Sequence, residues 1–515
     1  MFKIPNMFAP VCRPALPSTR EITSWIRGGF GGLILILITA SVSAQSASGT
    51  FDDHQNMMDQ LGVKTLRRGP DPNNQTTFDE TIANPYTNSM PDVLTMNDGT
   101  KVTRPDQWPA RRAEIQEDFE REVYGRIPAN VPKASWEVTA TTFGTNGGIP
   151  TVTKTLVGHV DNSGYTNITV NIQASFTVPA NATGPVPVMI EFGGGFGFGA
   201  FRGGARGGVG APGSSTNAPN TNAFAAAPGR RGGFGGRNGG PSWNQQAIAK
   251  GWGYGSINPG SIQGDNNRLT SGIIGLVNKG QPRKPDDWGA LRAWQWGVSQ
   301  LINYFEANPD SMVDATKVGI EGLSRYGKAA IVAEAFEPRI AVGLIGSSGE
   351  GGVKLHRHIY GEAVENLAGG EYYWMAGNFI KYGASDPEKT AADLPVDSHE
   401  LIALCAPRPC FISYGTVENG DAKWVDAHGS FMAGVLAGPV YTLLGKRDFG
   451  SAGDYLTDPM PPIKQLIGGE LAWRQHEGGH DVTPNWPAFF KWVAAYVKAP
   501  APPAVTSPPA TAPAK

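Results

Sequence analysis

From residue 186 onward, short apolar runs and amphipathic stretches take turns along the chain. Runs at 186–192, 252–257, 318–321, 340–345, 409–414 and 471–476 have the length and composition of buried strands. Between them, residues 287–306 place Trp288, Leu291, Trp294, Leu301 and Tyr304 on one helical face, and 328–335, 431–444 and 486–497 read as further helices. Helical material also runs through Ala363 and Trp374. This alternation predicts an α/β fold, a three-layer sandwich around a doubly wound, mostly parallel sheet. Pro187 in the first run must sit where no ladder bond is needed. Upstream the period changes to two: residues 136–141, 152–160 and 166–176 predict an antiparallel meander ahead of the main sheet. Residues 106–124 predict a helix capped by Asp106, with Pro109 in its first turn and Ile115, Phe119 and Val123 forming a stripe.

The remaining stretches lack such periods. Residues 45–95 are polar, rich in Asn, Asp, Thr and Pro, and are expected to be an irregular lead-in to a catalytic domain over 96–498. A glycine-rich insert at 193–240 carries Arg202, Arg206, Arg230, Arg231 and Arg237 but no acid, and has too few apolar residues to fold alone. Its alternative reading, an RGG-like nucleic-acid binder, lacks an aromatic stacking platform. The Pro/Ala-rich tail, 499–515, is expected to be disordered. At the other end, Arg20 and Arg27 precede an apolar run and the small residues Val42 and Ala44, the pattern of a signal peptide (1–44) cut after Ala44. That run is shorter than the roughly 20 residues needed to cross a bilayer, so export to the periplasm or beyond is expected, with no stable membrane span after cleavage.

Composition excludes some partners. A formal net charge of −2 gives the whole chain no pull toward nucleic acid. Cys12 leaves with the signal; whether Cys405 and Cys410 then pair is a matter of geometry. No C-x-x-C pattern occurs; His476-Glu-Gly-Gly-His480 has the H-E-x-x-H spacing, but a His476/His480 metal pair would need a third ligand that the sequence does not show, so no metal is expected.

The candidate chemistry centres on Lys317-Val-Gly-Ile-Glu-Gly-Leu-Ser-Arg-Tyr-Gly-Lys-Ala-Ala330. Strand, tight turn and helix follow one another, with Ser324 at the corner, as in the nucleophile elbow of an α/β-hydrolase. The second glycine falls one residue later than in G-x-S-x-G. In such enzymes the chain order is Ser, acid, His. The last strand runs into Glu477-Gly-Gly-His480, whose glycines let the imidazole of His480 reach across the sheet edge as base, whereas His476 lies on the strand itself. The acid should follow the strand ending near Tyr414; Asp421 is favoured, Glu418 is the alternative, and Asp426 begins the next helix. Gly193-Gly-Gly, after the first deep strand, is placed to lend a backbone N–H to an oxyanion hole.

Gly322-Leu-Ser-Arg-Tyr-Gly-Lys328 resembles the G-C-S-R-x-G-K motif of the glucuronoyl esterases, carbohydrate esterase family 15. The similarity, to bacterial members in particular, continues through Asp287-Trp-Gly-Ala-Leu-Arg-Ala-Trp294, Gly361-Glu-Ala-Val-Glu-Asn-Leu367, Ala406-Pro-Arg-Pro409, Trp424-Val-Asp426 and Gly478-Gly-His480-Asp481. The resemblance implies a cofactor-free esterase on glucuronoxylan or lignin–carbohydrate esters of 4-O-methyl-glucuronic acid. It further implies Ser324 as nucleophile, His480 as base, and Arg325 at the oxyanion. Lys328 and Glu362 would contact the sugar, and Trp424 would close over the ring. Leu323 replaces the motif's cysteine, and Ser347 stands where fungal members carry the acid, which moves that role to the loop of Asp421 or Glu418. The expectation is an exported serine esterase; the rival readings are an acetyl- or feruloyl-xylan esterase and a polysaccharide-binding pseudoenzyme.

Overall fold

The computed structural model describes residues 52–193 and 240–500. Residues 1–51, with the expected signal peptide, the insert from 194 to 239 and the tail beyond 500 lie outside the described residues. The segment read as a mostly irregular lead-in is largely turns and 3-10 pieces but holds one regular helix. That helix, α1 (Asp53–Leu61), is capped by Asp52, which accepts from the His54 and Gln55 amides, and closed by Gly62 at φ 67°. Its buried face holds little more than Met57 and Met58, too short an apolar pattern to stand out in a polar stretch. Strand β1 (Thr65–Leu66) follows.

Helix α2 (Trp108–Glu122) buries Ile115 and Phe119 as expected, but Asp106 does not cap it. A 3-10 turn over Pro105–Gln107 precedes the helix, and the Asp106 carboxylate is taken by Arg104 at 3.0 Å. The meander is β2 (Ala134–Asn146), β3 (Ile149–Val160) and β4 (Asn171–Pro179), the last starting later than its sequence period indicated. Then come β5 (Val186–Phe192), α3 (Trp243–Ala249), β6 (Gly253–Ile257), α4 (Gly272–Val277) and α5 (Ala290–Ala307). Next are β7 (Val313–Leu323), α6 (Arg325–Phe336), β8 (Ile340–Gly346), α7 (Val364–Gly369), β9 (Ala384–Asp386) and α8 (Ser398–Cys405). The chain closes with β10 (Cys410–Tyr414), α9 (Ala427–Leu443), β11 (Ile467–Gly468), β12 (Leu471–Gln475) and α10 (Trp486–Val493).

Among the described residues, ten strands form one sheet in the order β11-β12-β10-β8-β7-β5-β6-β4-β3-β2, while β1 and β9 pair separately. Neighbours from β12 across to β6 are parallel, and the meander adds antiparallel strands beyond them. Pro187 falls where the β5–β7 register slips, so no ladder bond is demanded of it. β7 begins earlier than its apolar run, because Val313 pairs with Val186 across that slip.

Side chains alternate between the two faces of the sheet. On β5, Val188, Ile190 and Phe192 join the larger core, while Met189 joins a smaller one with Phe411, Ala472, Trp486, Phe489 and Phe490. Each fully buried Leu, Ile or Phe contributes ~2 kcal/mol, so covering both faces with helices fixes the register of the sheet. The carboxyl ends of the parallel strands share one edge, where open α/β sheets bind their ligands. Cys405 and Cys410 are buried free thiols. Among the described residues, no helix is long and apolar enough to cross a membrane.

Candidate active site

Ser324 stands between the end of β7 and the start of α6 at φ 61°, ψ −126°. A non-glycine residue there costs ~1–3 kcal/mol and persists only when its surroundings hold it. Its amide donates to Gly346 O at 2.9 Å, and its carbonyl accepts from the Lys328 amide at 3.0 Å. Glycine is required where the turn folds back on itself: a Cβ at Gly322 would lie 2.0 Å from Tyr326 O, and one at Gly327 would lie 2.4 Å from Gly346 O. Residue 327, not 326, presses on β8, which explains the displaced second glycine. Tyr326 instead packs its ring toward Phe192 and Trp294.

The loops after β10 and β12 meet beside this turn. His480 Nδ1 donates to Asp421 Oδ1 at 2.8 Å. The other carboxylate oxygen of Asp421 accepts from Ser347 Oγ and from the Gly415 amide, both at 2.7 Å. Asp421 is 2% exposed, whereas Glu418 is exposed in the 3-10 turn Val417–Asn419 and is not hydrogen-bonded to His480. The glycines of both loops permit the approach: a Cβ on Gly415 or on Gly479 would meet the facing backbone at 2.2 Å. Val482 covers Gly346, where a Cβ would be 2.3 Å from Val482 Cγ1, so the His480 loop lies against the strand end that holds the elbow. Among the described residues, neither Ser324 Oγ nor His480 Nε2 is hydrogen-bonded, to each other or elsewhere. Such bonds are commonly long before substrate binds.

One helical turn on, Lys328 is buried, with Nζ 2.6 Å from Glu362 Oε2 and 2.7 Å from Ser348 O. The Glu350 amide also donates to Glu362 Oε2 at 3.1 Å. The Glu362 amide donates to Trp424 O at 2.8 Å, which brings the Trp424 backbone beside the pair. Arg325 is half exposed; its Nη1 is 2.7 Å from Asp265 Oδ2, and its guanidinium lies 5.5 Å from the Trp374 ring. Trp374 Nε1 donates to Asp265 Oδ1 at 2.7 Å, so one aspartate holds both groups. Burial, followed by the nearby Glu362, pushes the Glu371 carboxyl up to about 7.

On the strand side of the elbow, a cavity of about 330 Å³ is lined by Glu191, Glu321, Tyr326, Asp481 and Trp486, among others. Glu191 and Glu321 are register partners on β5 and β7. Burial pushes the Glu191 carboxyl up to about 7, and raises Glu321 well above its usual range with help from Glu191 and Asp481. Gly193, next to this cavity, donates its amide to Ile257 O at 2.8 Å and so has no free N–H; the rest of the expected Gly193-Gly-Gly oxyanion loop lies outside the described residues.

Sequence reasoning missed Ser347 as a donor to Asp421, and Asp265 and Trp374 as the seat of Arg325. Their only signal is spatial, since each is remote in the chain from the group it touches. Among the described residues, two sets of side chains place three possible metal donors within 4.8 Å of one another: Glu80, His358 and His428, and Glu334, Cys405 and Cys410. His476 is buried on the strand end, and its Nδ1 accepts from the Gly478 amide at 2.9 Å.

A parallel-centred sheet with a serine on a strained strand-to-helix turn defines an α/β-hydrolase. The family model described as glucuronyl esterase, fungi, matches residues 283–445. Carbohydrate esterase MZ0003, from an unknown prokaryotic organism, is 30% identical over 437 residues, covering 81% of this chain and 90% of that protein. The 4-O-methyl-glucuronoyl methylesterase of Hypocrea jecorina is 27% identical over 69% of this chain and 62% of its own length. A family 15 glucuronoyl esterase from Teredinibacter turnerae T7901 superposes with a TM-score of 0.71 at 35% identity, over 86% of this chain and 98% of that one. The chain belongs to carbohydrate esterase family 15, the glucuronoyl esterases, and is a carboxylic ester hydrolase.

Proposed function

We propose that this is an exported serine esterase cleaving esters of 4-O-methyl-glucuronic acid on xylan, with Ser324, His480 and Asp421 as its triad. The observation that carries the reading is the 2.8 Å bond between His480 Nδ1 and the buried Asp421, in loops lying against the elbow of Ser324. Ser324 Oγ attacks the ester carbonyl carbon and passes its proton to His480 Nε2, while Asp421 holds the ring and stabilises the imidazolium. The tetrahedral oxyanion takes hydrogen bonds from the Arg325 amide and guanidinium; each preorganised donor is worth ~3 kcal/mol. The intermediate collapses, and the leaving alcohol takes the proton from His480. Water, deprotonated by His480, then releases the uronic acid from the acyl-serine. Lys328 and Glu362 bond the sugar hydroxyls, and Trp424 covers the ring.

The test compares purified protein on methyl glucuronate and on 4-nitrophenyl acetate. Hydrolysis of the first at a far higher kcat/KM is expected. Equal turnover of both points to a general acetyl esterase, and turnover of neither to a pseudoenzyme.

A further inference from the structure

A second group of chemistry-bearing side chains lies beyond the triad, where the N-terminal segment meets the loop that carries Asp421 and Trp424. Glu80 opens a 3-10 turn, Glu80–Ile82, docked by a bond from the Ile359 amide to Ala83 O at 2.7 Å. His358 precedes that docking residue and is fully buried. His428 is in the first turn of α9. Glu80 Oε2 lies 3.2 Å from His358 Nε2 and 3.3 Å from His428 Nδ1. Two donors each about 2.1 Å from a tetrahedral zinc ion are themselves roughly 3.4 Å apart, so these separations suit a shared ion.

The atoms behind the cluster are arranged as a metal-binding histidine requires. Asp426 Oδ2 is 2.6 Å from His358 Nδ1, which directs Nε2 toward Glu80 and His428. A carboxylate on the far nitrogen is the usual outer support of a ligating imidazole. Gly429 makes that approach possible, since a Cβ there would lie 2.2 Å from Asp426 Oδ2 and 2.6 Å from His358 Nδ1. Glu80 and His428 also line a cleft of about 180 Å³ with Tyr360, Asp421 and Met460, which gives an ion a route from solvent.

We propose that Glu80, His358 and His428 form a binding site for a divalent late transition metal of the zinc class, supported by Asp426. Three ligands of imidazole and carboxylate type suit zinc, with room for a water as the fourth. The ion fastens the N-terminal segment to the body of the enzyme. Phe78, two residues before Glu80, has its ring centroid 5.5 Å from that of Tyr360 and 6.3 Å from that of Trp424, so the clamp also seats the aromatic wall of the cleft. This last consequence rests on the proposed sugar-binding role of Trp424; metal uptake does not.

The experiment uses tag-free protein, stripped with chelator and titrated with zinc chloride. Calorimetry and elemental analysis should find one tightly held zinc per chain, with a higher Tm in its presence. Cobalt(II) in its place should give the visible d–d bands of a low-coordinate histidine site. Glu80→Ala and His428→Ala are both at accessible positions, and each should weaken zinc binding by more than about tenfold while circular dichroism stays unchanged. Absence of stoichiometric zinc in the wild-type protein overturns the proposal, leaving His358 as an imidazole bridging two carboxylates. Undiminished zinc affinity in the double variant overturns it equally. Zinc removal should raise KM for methyl glucuronate with little change in kcat; if uptake is normal and KM does not move, only the role of Trp424 fails.

Discussion

Two groups of buried or half-buried carboxyls border the elbow, one reached from the helix after Ser324 and one from the strand before it. In the first, Glu362 meets the ammonium of Lys328 at 2.6 Å and a backbone amide at 3.1 Å. In the second, Glu191 and Glu321 face each other across β5 and β7, and among the described residues neither is in a salt bridge. Burying a carboxylate is costly in both places. A cation offsets that cost on the helix side, and a retained proton offsets it on the strand side. Only the helix-side carboxylate is paired with a cation, Lys328. The same residue type, withdrawn from solvent in both places, therefore gives an ion pair in one region and a pH-sensitive wall in the other.

The largest effect should come from removing what both regions border. Ser324→Ala should lower kcat on methyl glucuronate by ~10⁴-fold or more with an unchanged circular dichroism spectrum, and His480→Ala should do the same. Next, Asp421→Asn should cost ~10⁴-fold in kcat by leaving the wrong imidazole tautomer. Glu418→Gln, at an exposed position, should change stability by less than about 0.5 kcal/mol and leave kcat nearly as it was. A large loss from Glu418→Gln instead would move the acid role to that residue.

The contrast between the two carboxyl groups is tested by matched amides. Glu362→Gln strands the Lys328 charge in a buried site and should destabilise by ~3 kcal/mol in urea melts. Glu191→Gln replaces a carboxyl that the fold already holds protonated, and should change stability little below neutral pH. The smallest effect is on its pH slope. The Glu191 carboxyl, ordinarily near 4.5, is raised to about 7 in the fold, so the native state binds more protons over that interval. Its contribution is fully present below 4.5 and is lost as pH rises through about 7. Wild type should therefore lose stability from about pH 5 to about pH 8 more steeply than Glu191→Gln; parallel slopes would place the titration elsewhere.

Much of this was legible along the chain. The elbow showed because its glycines, serine and helix lie within a few residues, and the strands of the parallel centre showed because burial on both faces makes their sequence continuously apolar. His480 showed because its loop must be glycine-rich to pass Gly415 and Asn419. Helix α1 did not show, since its inward face is little more than two methionines. Asp106 misled because aspartate serves equally well as a cap or as a partner to Arg104, and local pairing won.

Local order alone determined where Ser324 stands, that an imidazole follows the last strand, and that a carboxylate follows β10. Those features depend on turn geometry and periodicity, which act over a handful of neighbouring residues. Packing decided the rest. Asp421 lies buried against His480 with Ser347 behind it, Asp265 seats Arg325, and Glu80 reaches His358 across 278 positions of chain. A hydrogen bond requires only that two groups be about 3 Å apart, and that separation is set by how layers stack rather than by how many residues lie between them.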